Sequence, residues 1–373
     1  MSLKILHILG GQEDTGGIFS VIRNIQEVTR EKGWEHVVWV SREFQQTRLP
    51  RLELRFAEVL VEDSLSHLQM LKQAWKAFGG LRRLLKTESF DLVHAHTRVA
   101  WLLAVALNRF CGYRVVYTNH NFARRTAMYR WATRWPNFYS VFLNPNMARH
   151  YGVTANRPQV SLISACFADR FLERALAREP RCLPVEEKVR IVGVGNLVRW
   201  KKWDLLADAI LLLPSDLRWR LSVEIWGPES EEHDAQAFSK ALKQKLAHPE
   251  LKETMTLRGP TNQVEELVAG ADIFVLPSTN EPCSVALMEA LALGVPVLVS
   301  KSGGNIDIVE EGITGRLFEP DNADDLAAVL ADLLAGKAFE FCPQTIRESV
   351  RGRSATAVAE AYEELYQTVL NGT

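Results

Sequence analysis

The feature that most limits the fold of this chain is a rhythm. A short apolar run, a glycine-rich or polar turn and a helix-like stretch follow one another repeatedly. Residues 3–9 (LKILHIL) lead into GGQEDTGG, after which Ile18, Val21, Ile22, Ile25 and Val28 recur at helical spacing. Residues 36–40, 90–93 and 114–117 read as further strands. Short runs that are apolar throughout suit strands covered on both faces, which is the setting of a parallel sheet with helices on each side. The pattern dissolves over residues 170–187 into charges, two prolines and Cys182, the best linker candidate. It then restarts, with strands expected over 189–194, 220–226, 254–258, 272–276 and 295–299. Helices are expected over 204–213, 231–246, from 262, over 285–293 and over 307–311. A final helical segment, 346–370, carries Val358, Ala361, Tyr362, Leu365 and Tyr366 as its apolar stripe.

Two α/β domains are therefore expected, 1–180 and 181–345, followed by the segment 346–373. The 373 residues, 47% hydrophobic and 24% charged, supply cores for both and exclude a disordered or fibrous chain. Cysteines at 111, 166, 182, 283 and 342 are scattered and form no C-x-x-C, which fits a reducing compartment and opposes a disulfide framework or thiolate zinc site. The start, MSLKILHILGG, reads as a buried strand rather than a signal peptide, and no apolar run approaches membrane-spanning length. A cytoplasmic protein is expected.

The net charge of −1 conceals a division. Residues 1–180 carry 25 Lys and Arg against 15 Asp and Glu, a net of +10; residues 181–373 carry 19 against 30, a net of −11. A basic half attracts nucleic acid, anionic lipid or a phosphorylated substrate. Within it, residues 68–86 place Leu68, Leu71, Trp75 and Phe78 on one helical face among five basic residues, with Gly79 and Gly80 weakening a continuous helix.

Open parallel sheets bind ligands beyond the carboxyl ends of their strands, so the informative loops follow strands. Gly16 and Gly17 close the first loop, where backbone N–H groups can approach an anion; the spacing is neither G-x-G-x-x-G nor a P-loop. His120 follows the strand 115–118 and can donate a hydrogen bond or exchange a proton. His94 and His96, in VHAH, alternate and are expected on opposite faces of their strand. Asn196, Arg199, Lys201 and Lys202 lie in the loop after 189–194, with lysine suited to phosphate. Glu281 lies in the loop STNEPCS and Glu289 on the helix that follows, with N–H groups around Ser284 and Val285 suited to an anion between them. Gly303 and Gly304 permit another close backbone approach. Each of these, taken alone, is also compatible with an ordinary surface turn.

In this order the pieces resemble the retaining glycosyltransferases of the large GT-B family four. The match rests on E-x7-E, Glu281 to Glu289 in EPCSVALME, and extends over residues 189–335. In the first half DLVHAH, Gly16-Gly17 and His120 are the more diffuse counterparts. The resemblance implies two facing Rossmann-like domains with a deep interdomain cleft, an acceptor-side first domain, a nucleotide-sugar-binding second domain and a terminal helix crossing back to the first. It implies a nucleotide-diphosphate sugar donor, UDP-sugar foremost, with no other cofactor and no metal. Glu289 would hold the ribose hydroxyls, Glu281 the sugar hydroxyls and Lys201 the diphosphate, assisted by Ser284, Val285, Gly16 and Gly17; His120 would lie near the transferred sugar. Asn196 stands where the family often has arginine, with Arg199 and Lys202 as nearby cations, and Pro282 where glycine is frequent. Asp307 replaces a commoner glutamate after the paired glycines.

The implied activity is retaining transfer of a sugar to a glycan or lipid-linked glycan, as in bacterial lipopolysaccharide, capsule or other surface polysaccharide synthesis. Alternatives are a sugar-nucleotide hydrolase or epimerase, a sugar-phosphate synthase, or a catalytically silent glycan-binding partner protein. The basic half lacks a nucleic-acid reading motif. Arg124, Arg125, Arg130 and Arg134 interleave with Met128, Tyr129, Trp131 and Trp135, a pattern suited to an anionic membrane surface, a soluble anionic acceptor or internal packing. The cytoplasmic face of the inner membrane is the expected place of work.

Overall fold

The computed structural model describes residues 2–372 apart from 12, 15, 64–65, 155, 175–187, 231–232 and 336–340. It divides into two compact units, Met1–Phe167 with Arg353–Thr373, and Ala168–Gly352. The division falls earlier than the boundary near 180 read from the sequence. Residues 170–173 form a short helix, Arg170–Glu173, whose Phe171 is buried and which packs on the helix Val285–Ala292 of the second unit. The rest of the expected linker, from 175, lies outside the described residues.

The first unit holds seven parallel strands: β1 (Lys4–Ile8), β2 (Glu35–Val40), β3 (Glu53–Phe56), β4 (Leu92–Ala95), β5 (Val115–Asn119), β6 (Phe138–Phe142) and β7 (Val160–Leu162). Their order is β3-β2-β1-β4-β5-β6-β7. The central strands are buried on both faces, which explains their largely apolar character. The order reverses between β1 and β4, so the loops after these two strands diverge and leave a crevice at their carboxyl ends. The helices His67–Thr87, Arg98–Cys111 and Ala127–Ala132 cover one face. The closing helix Ala355–Asn371 belongs to this unit and packs on the helix Gly17–Thr29.

The second unit repeats the plan with β8 (Val189–Val194), β9 (Leu221–Trp226), β10 (Met255–Gly259), β11 (Ile273–Leu276), β12 (Val297–Ser300) and β13 (Gly315–Phe318), in the order β10-β9-β8-β11-β12-β13. Here the reversal lies between β8 and β11. The two loops that carry Lys201 and Glu281 are therefore neighbours by topology.

Three local expectations are corrected. The segment 67–87 is one continuous helix despite Gly79 and Gly80, opened by Ser66, which accepts from the Gln69 N–H in a capping box. It turns Met70, Ala74, Ala77 and Leu81 inward, while Leu68, Leu71 and Trp75 are 63%, 52% and 81% exposed. The small alanines admit the neighbouring helix Arg98–Cys111, and the larger apolar stripe is left outside. No helix runs over 307–311: a single 3-10 turn, Asn305–Asp307, is followed by a turn in which the Glu310 N–H donates to Thr314 Oγ1 at 2.9 Å. His94 and His96 share a face, because side chains two apart on a strand point the same way; their rings lie 4.0 Å apart and both are buried.

Candidate active site

In the second unit the chain leaves β8 and makes a 3-10 turn, Arg199–Lys201, closed by Lys202 in the left-handed region. This turn buries the Lys201 side chain, whose Nζ donates to Glu281 Oε2 at 2.8 Å and lies 4.5 Å from the centre of the Trp200 ring. Ser278 Oγ donates to the same carboxylate oxygen at 3.0 Å. Both charges are removed from water, Lys201 to 8% and Glu281 to 6% exposure. A buried pair is retained at a desolvation cost, so its presence at the strand ends points to a site more than to stability.

The loop around Glu281 is held by the turn after β12. Gly304 N–H donates to Glu281 O at 2.7 Å, and Asn280 N–H to Ser302 Oγ at 2.6 Å. Gly303 has φ 59°, and a Cβ on it would lie 2.1 Å from Glu281 O, so only glycine fits. Ser284 then caps the helix Val285–Ala292 by accepting from the Leu287 N–H at 3.2 Å. The first-turn N–H groups at Val285 and Ala286 have no helical carbonyl to receive them, and the positive helix end faces the loop. Glu289 is half-buried in the second turn.

Lys201, Glu281, Gly303, Gly304 and Ser284 are thus brought into one place. Two of the expected cations turn elsewhere. Lys202 pairs with Asp321 at 2.6 Å, and exposed Arg199 lies over the Phe238 ring. Asn196 contributes through its backbone, its carbonyl accepting from Trp203 Nε1–H at 3.1 Å. Ser278 and Ser302 join the site without having been expected there; serines in a polar loop give no spacing signal.

In the first unit His120 belongs to a larger network. His7, on β1, lies 2.9 Å through Nδ1 from His96 Nε2 and 2.9 Å through Nε2 from His36 Nδ1. His96 Nδ1 lies 3.1 Å from His120 Nε2, and His36 Nε2 lies 3.0 Å from Thr29 Oγ1. His94 bonds instead to Thr118 Oγ1 at 2.7 Å and to the Tyr366 hydroxyl at 2.8 Å. Together with Tyr362 the rings wall a cavity with room for about one water molecule. Among the described residues no carboxylate, lysine or arginine lines it. Burial therefore lowers all five imidazoles, His36 to about 4 and His120 to about 3, with neighbouring rings adding to the effect at His7, His94 and His96. His7 and His36 carry no signal in the sequence because each lies alone in an apolar strand.

Among the described residues His7, His94 and His96 are the group whose ring nitrogens come close enough to hold a metal ion. All six nitrogens of that group already lie at hydrogen-bond distance from another ring or hydroxyl.

Gly16 and Gly17 open the helix Gly17–Thr29 without a side-chain cap, leaving its first N–H groups unclaimed by Gly16. The loop before them is fastened by Asp14, which accepts from Thr47 N–H and Oγ1 and from Arg48 N–H and pairs with buried Arg23. Burial pushes the Asp14 carboxyl up, but these hydrogen bonds and the Arg23 charge outweigh it and hold it below the usual carboxylate range.

Two doubly wound units, the second with a buried lysine–glutamate pair at its strand-end switch point, define a doubly wound α/β protein with a polar strand-end site. Residues 179–349 match the family described as glycosyl transferases group 1, and residues 15–160 match glycosyltransferase family 4. The chain belongs to this glycosyltransferase family. It is 21% identical over 312 residues to the UDP-Gal:alpha-D-GlcNAc-diphosphoundecaprenol alpha-1,3-galactosyltransferase of Escherichia coli, covering 78% of this chain and 79% of that one. It is 35% identical over 170 residues to the D-inositol 3-phosphate glycosyltransferase of Corynebacterium aurimucosum, covering 44% of this chain and 39% of the relative. The chain spans well under two thirds of the length of most curated relatives it matches. Anabaena HepE, solved with UDP and glucose, shares the fold with a TM-score of 0.74 at 17% identity, over 98% of this chain and 100% of that one.

Proposed function

We propose that the protein is a retaining glycosyltransferase that moves a sugar from a UDP-sugar to a glycan or lipid-linked glycan, in the synthesis of a bacterial surface polysaccharide. The observation that carries this reading is the buried Lys201–Glu281 pair, held beside the open N-terminus of the Glu289 helix. An incoming diphosphate offers Lys201 a second anion, and the helix N–H groups add further donors. Glu281 accepts sugar hydroxyl hydrogen bonds, and Glu289 accepts from the ribose hydroxyls. The names of the E. coli relative and of the HepE complex, with UDP-Gal and UDP, support a uridine donor.

In this reading the site neutralises the departing diphosphate with lysine and backbone dipoles, which become more stabilising as charge grows on the leaving group. The leaving phosphate accepts the acceptor's proton on the same face, so no protein nucleophile and no metal is used. A donor screen that follows nucleotide diphosphate release tests this, with proton NMR reporting the anomer formed. Retained configuration and undiminished turnover after chelation are the expected results. Inversion, or complete loss restored by magnesium or manganese, contradicts the mechanism, and no turnover with any donor favours a silent binding partner.

A further inference from the structure

The hydrogen-bonded line Thr29–His36–His7–His96–His120 has four links, and the four rings bring one N–H each when neutral. The depressed pKa values keep all four neutral near pH 7. Every link needs one proton between its atoms. A neutral imidazole that donates from one nitrogen accepts at the other, so the line has only two consistent orders, all protons pointing toward Thr29 or all pointing away.

Thr29 decides between them. Its Oγ1 lies 2.7 Å from the carbonyl oxygen of Ile25, one helical turn back. Two oxygens approach so closely with a hydrogen between them, which commits the hydroxyl proton to Ile25. Thr29 Oγ1 is then an acceptor for His36 Nε2–H, and 3.0 Å is the ordinary N–H to oxygen separation. His36 Nδ1 must accept from His7 Nε2–H, His7 Nδ1 from His96 Nε2–H, and His96 Nδ1 from His120 Nε2–H. His120 is left with an unprotonated Nδ1, for which the described residues offer no hydrogen-bond partner.

We propose that Thr29 fixes the proton order of this imidazole line, so that His120 presents Nδ1 as the acceptor for a sugar hydroxyl. Thr29, His36, His7 and His96 are positioning residues, with Thr29 four links removed from the group it controls. The role given to His120 rests on the glycosyltransferase reading; the proton order does not.

The two are tested separately. Long-range proton–nitrogen correlation spectra of the ring-labelled wild-type protein should show His7, His36, His96 and His120 all protonated at Nε2 and bare at Nδ1. Thr29→Val removes both the acceptor and the bond to Ile25, and should give mixed tautomers and about a tenfold loss of turnover, the loss expected for one hydrogen bond. Thr29→Ser should restore both. The wild-type spectrum is decisive even if Thr29→Val fails to fold. Protonation of His120 at Nδ1, or tautomers indifferent to Thr29→Val, overturns the proposal. Elemental analysis showing one transition-metal ion per chain, lost on His94→Ala, also overturns it. Tautomers as expected with unchanged turnover in Thr29→Val overturn the positioning role. A wild-type protein with this proton order and no transfer activity refutes the functional reading instead.

Discussion

Lys201 and Glu281 show why the order of loops matters more than the charge of any one of them. Three cations lie within four residues, yet only Lys201 is turned inward; Lys202 is held by Asp321 and Arg199 lies over Phe238. Lys201→Ala should therefore reduce turnover more than donor binding, and Lys202→Ala should do less on both counts. Losing Lys201 also leaves Glu281 buried without its partner, at a stability cost of about 3 kcal/mol that Lys201→Ala/Glu281→Gln should largely recover. Glu289→Ala should weaken binding of free UDP by about 1–3 kcal/mol through the lost ribose acceptor. Calorimetry and denaturant titration of folded variants check these figures, and kinetics indistinguishable between the Lys201 and Lys202 variants would refute the assignment. The E-x7-E spacing makes Glu281 and Glu289 legible in the sequence itself, because strand, loop and helix fix where two residues eight apart can lie. Ser278, Ser302 and Asp14 are not legible there. Ser278 lies three residues from its partner Glu281, but a serine in a polar loop carries no spacing signal, and Ser302 and Asp14 accept from peptide N–H groups far off in the sequence.

The helix His67–Thr87 shows how an element can be found while its orientation is misread. Periodicity identifies a stripe of Leu68, Leu71 and Trp75 but does not say which stripe faces the sheet. Packing chose the row with the small residues. The exposed row continues into Arg82 and Lys86, and the helix carries no acidic residue. The other candidate surface, 124–134, is divided by the fold. Tyr129 packs on Trp101, Tyr117 and Tyr151, and Trp135 on Trp131 and Phe138, while Met128 and Trp131 are 57% and 58% exposed with Arg124, Arg125, Arg130 and Arg134 around them. No helix among the described residues is long and apolar enough to cross a membrane. If the acceptor is lipid-linked, these rows meet its surface. Co-sedimentation with anionic vesicles should weaken with salt and be lost in Arg124/Arg125/Arg130/Arg134→Glu. Trp75→Ala alone should also weaken it, since an exposed indole partitions to the interface. Absence of binding at low salt would end the direct-membrane reading and leave the donor site untouched.

At the scale of the whole molecule the two units share a topology but differ in what their cores contain. The first buries His7, His36, His94 and His96 and half-buries His120 around a cavity that, among the described residues, has no carboxylate; the described histidines of the second, His233 and His248, are exposed. The difference in net charge between the halves is plain in the sequence, but the pooling of five histidines needs strands β1, β2, β4 and β5 to be adjacent, which only the sheet order supplies. The consequence is a difference in acid stability. Each buried ring has a folded pKa below its unfolded value of 6.5, so above that pH neither state binds the proton and nothing is lost. As pH falls below 6.5 the unfolded chain takes protons that the folded unit refuses. Stability declines until the folded values are reached, at about 4 for His36 and about 3 for His120. At pH 5.5 the loss is about 1.4 kcal/mol for each such histidine, with five as the ceiling for the unit. Calorimetry at pH 7.5 and pH 5.5, with proteolysis and mass spectrometry to assign each transition, should show the first unit's transition moving down by many degrees and the second unit's moving little. Equal shifts in both would mean that the folded rings take up protons as readily as the unfolded chain does, and the depression of their pKa values by burial would be refuted.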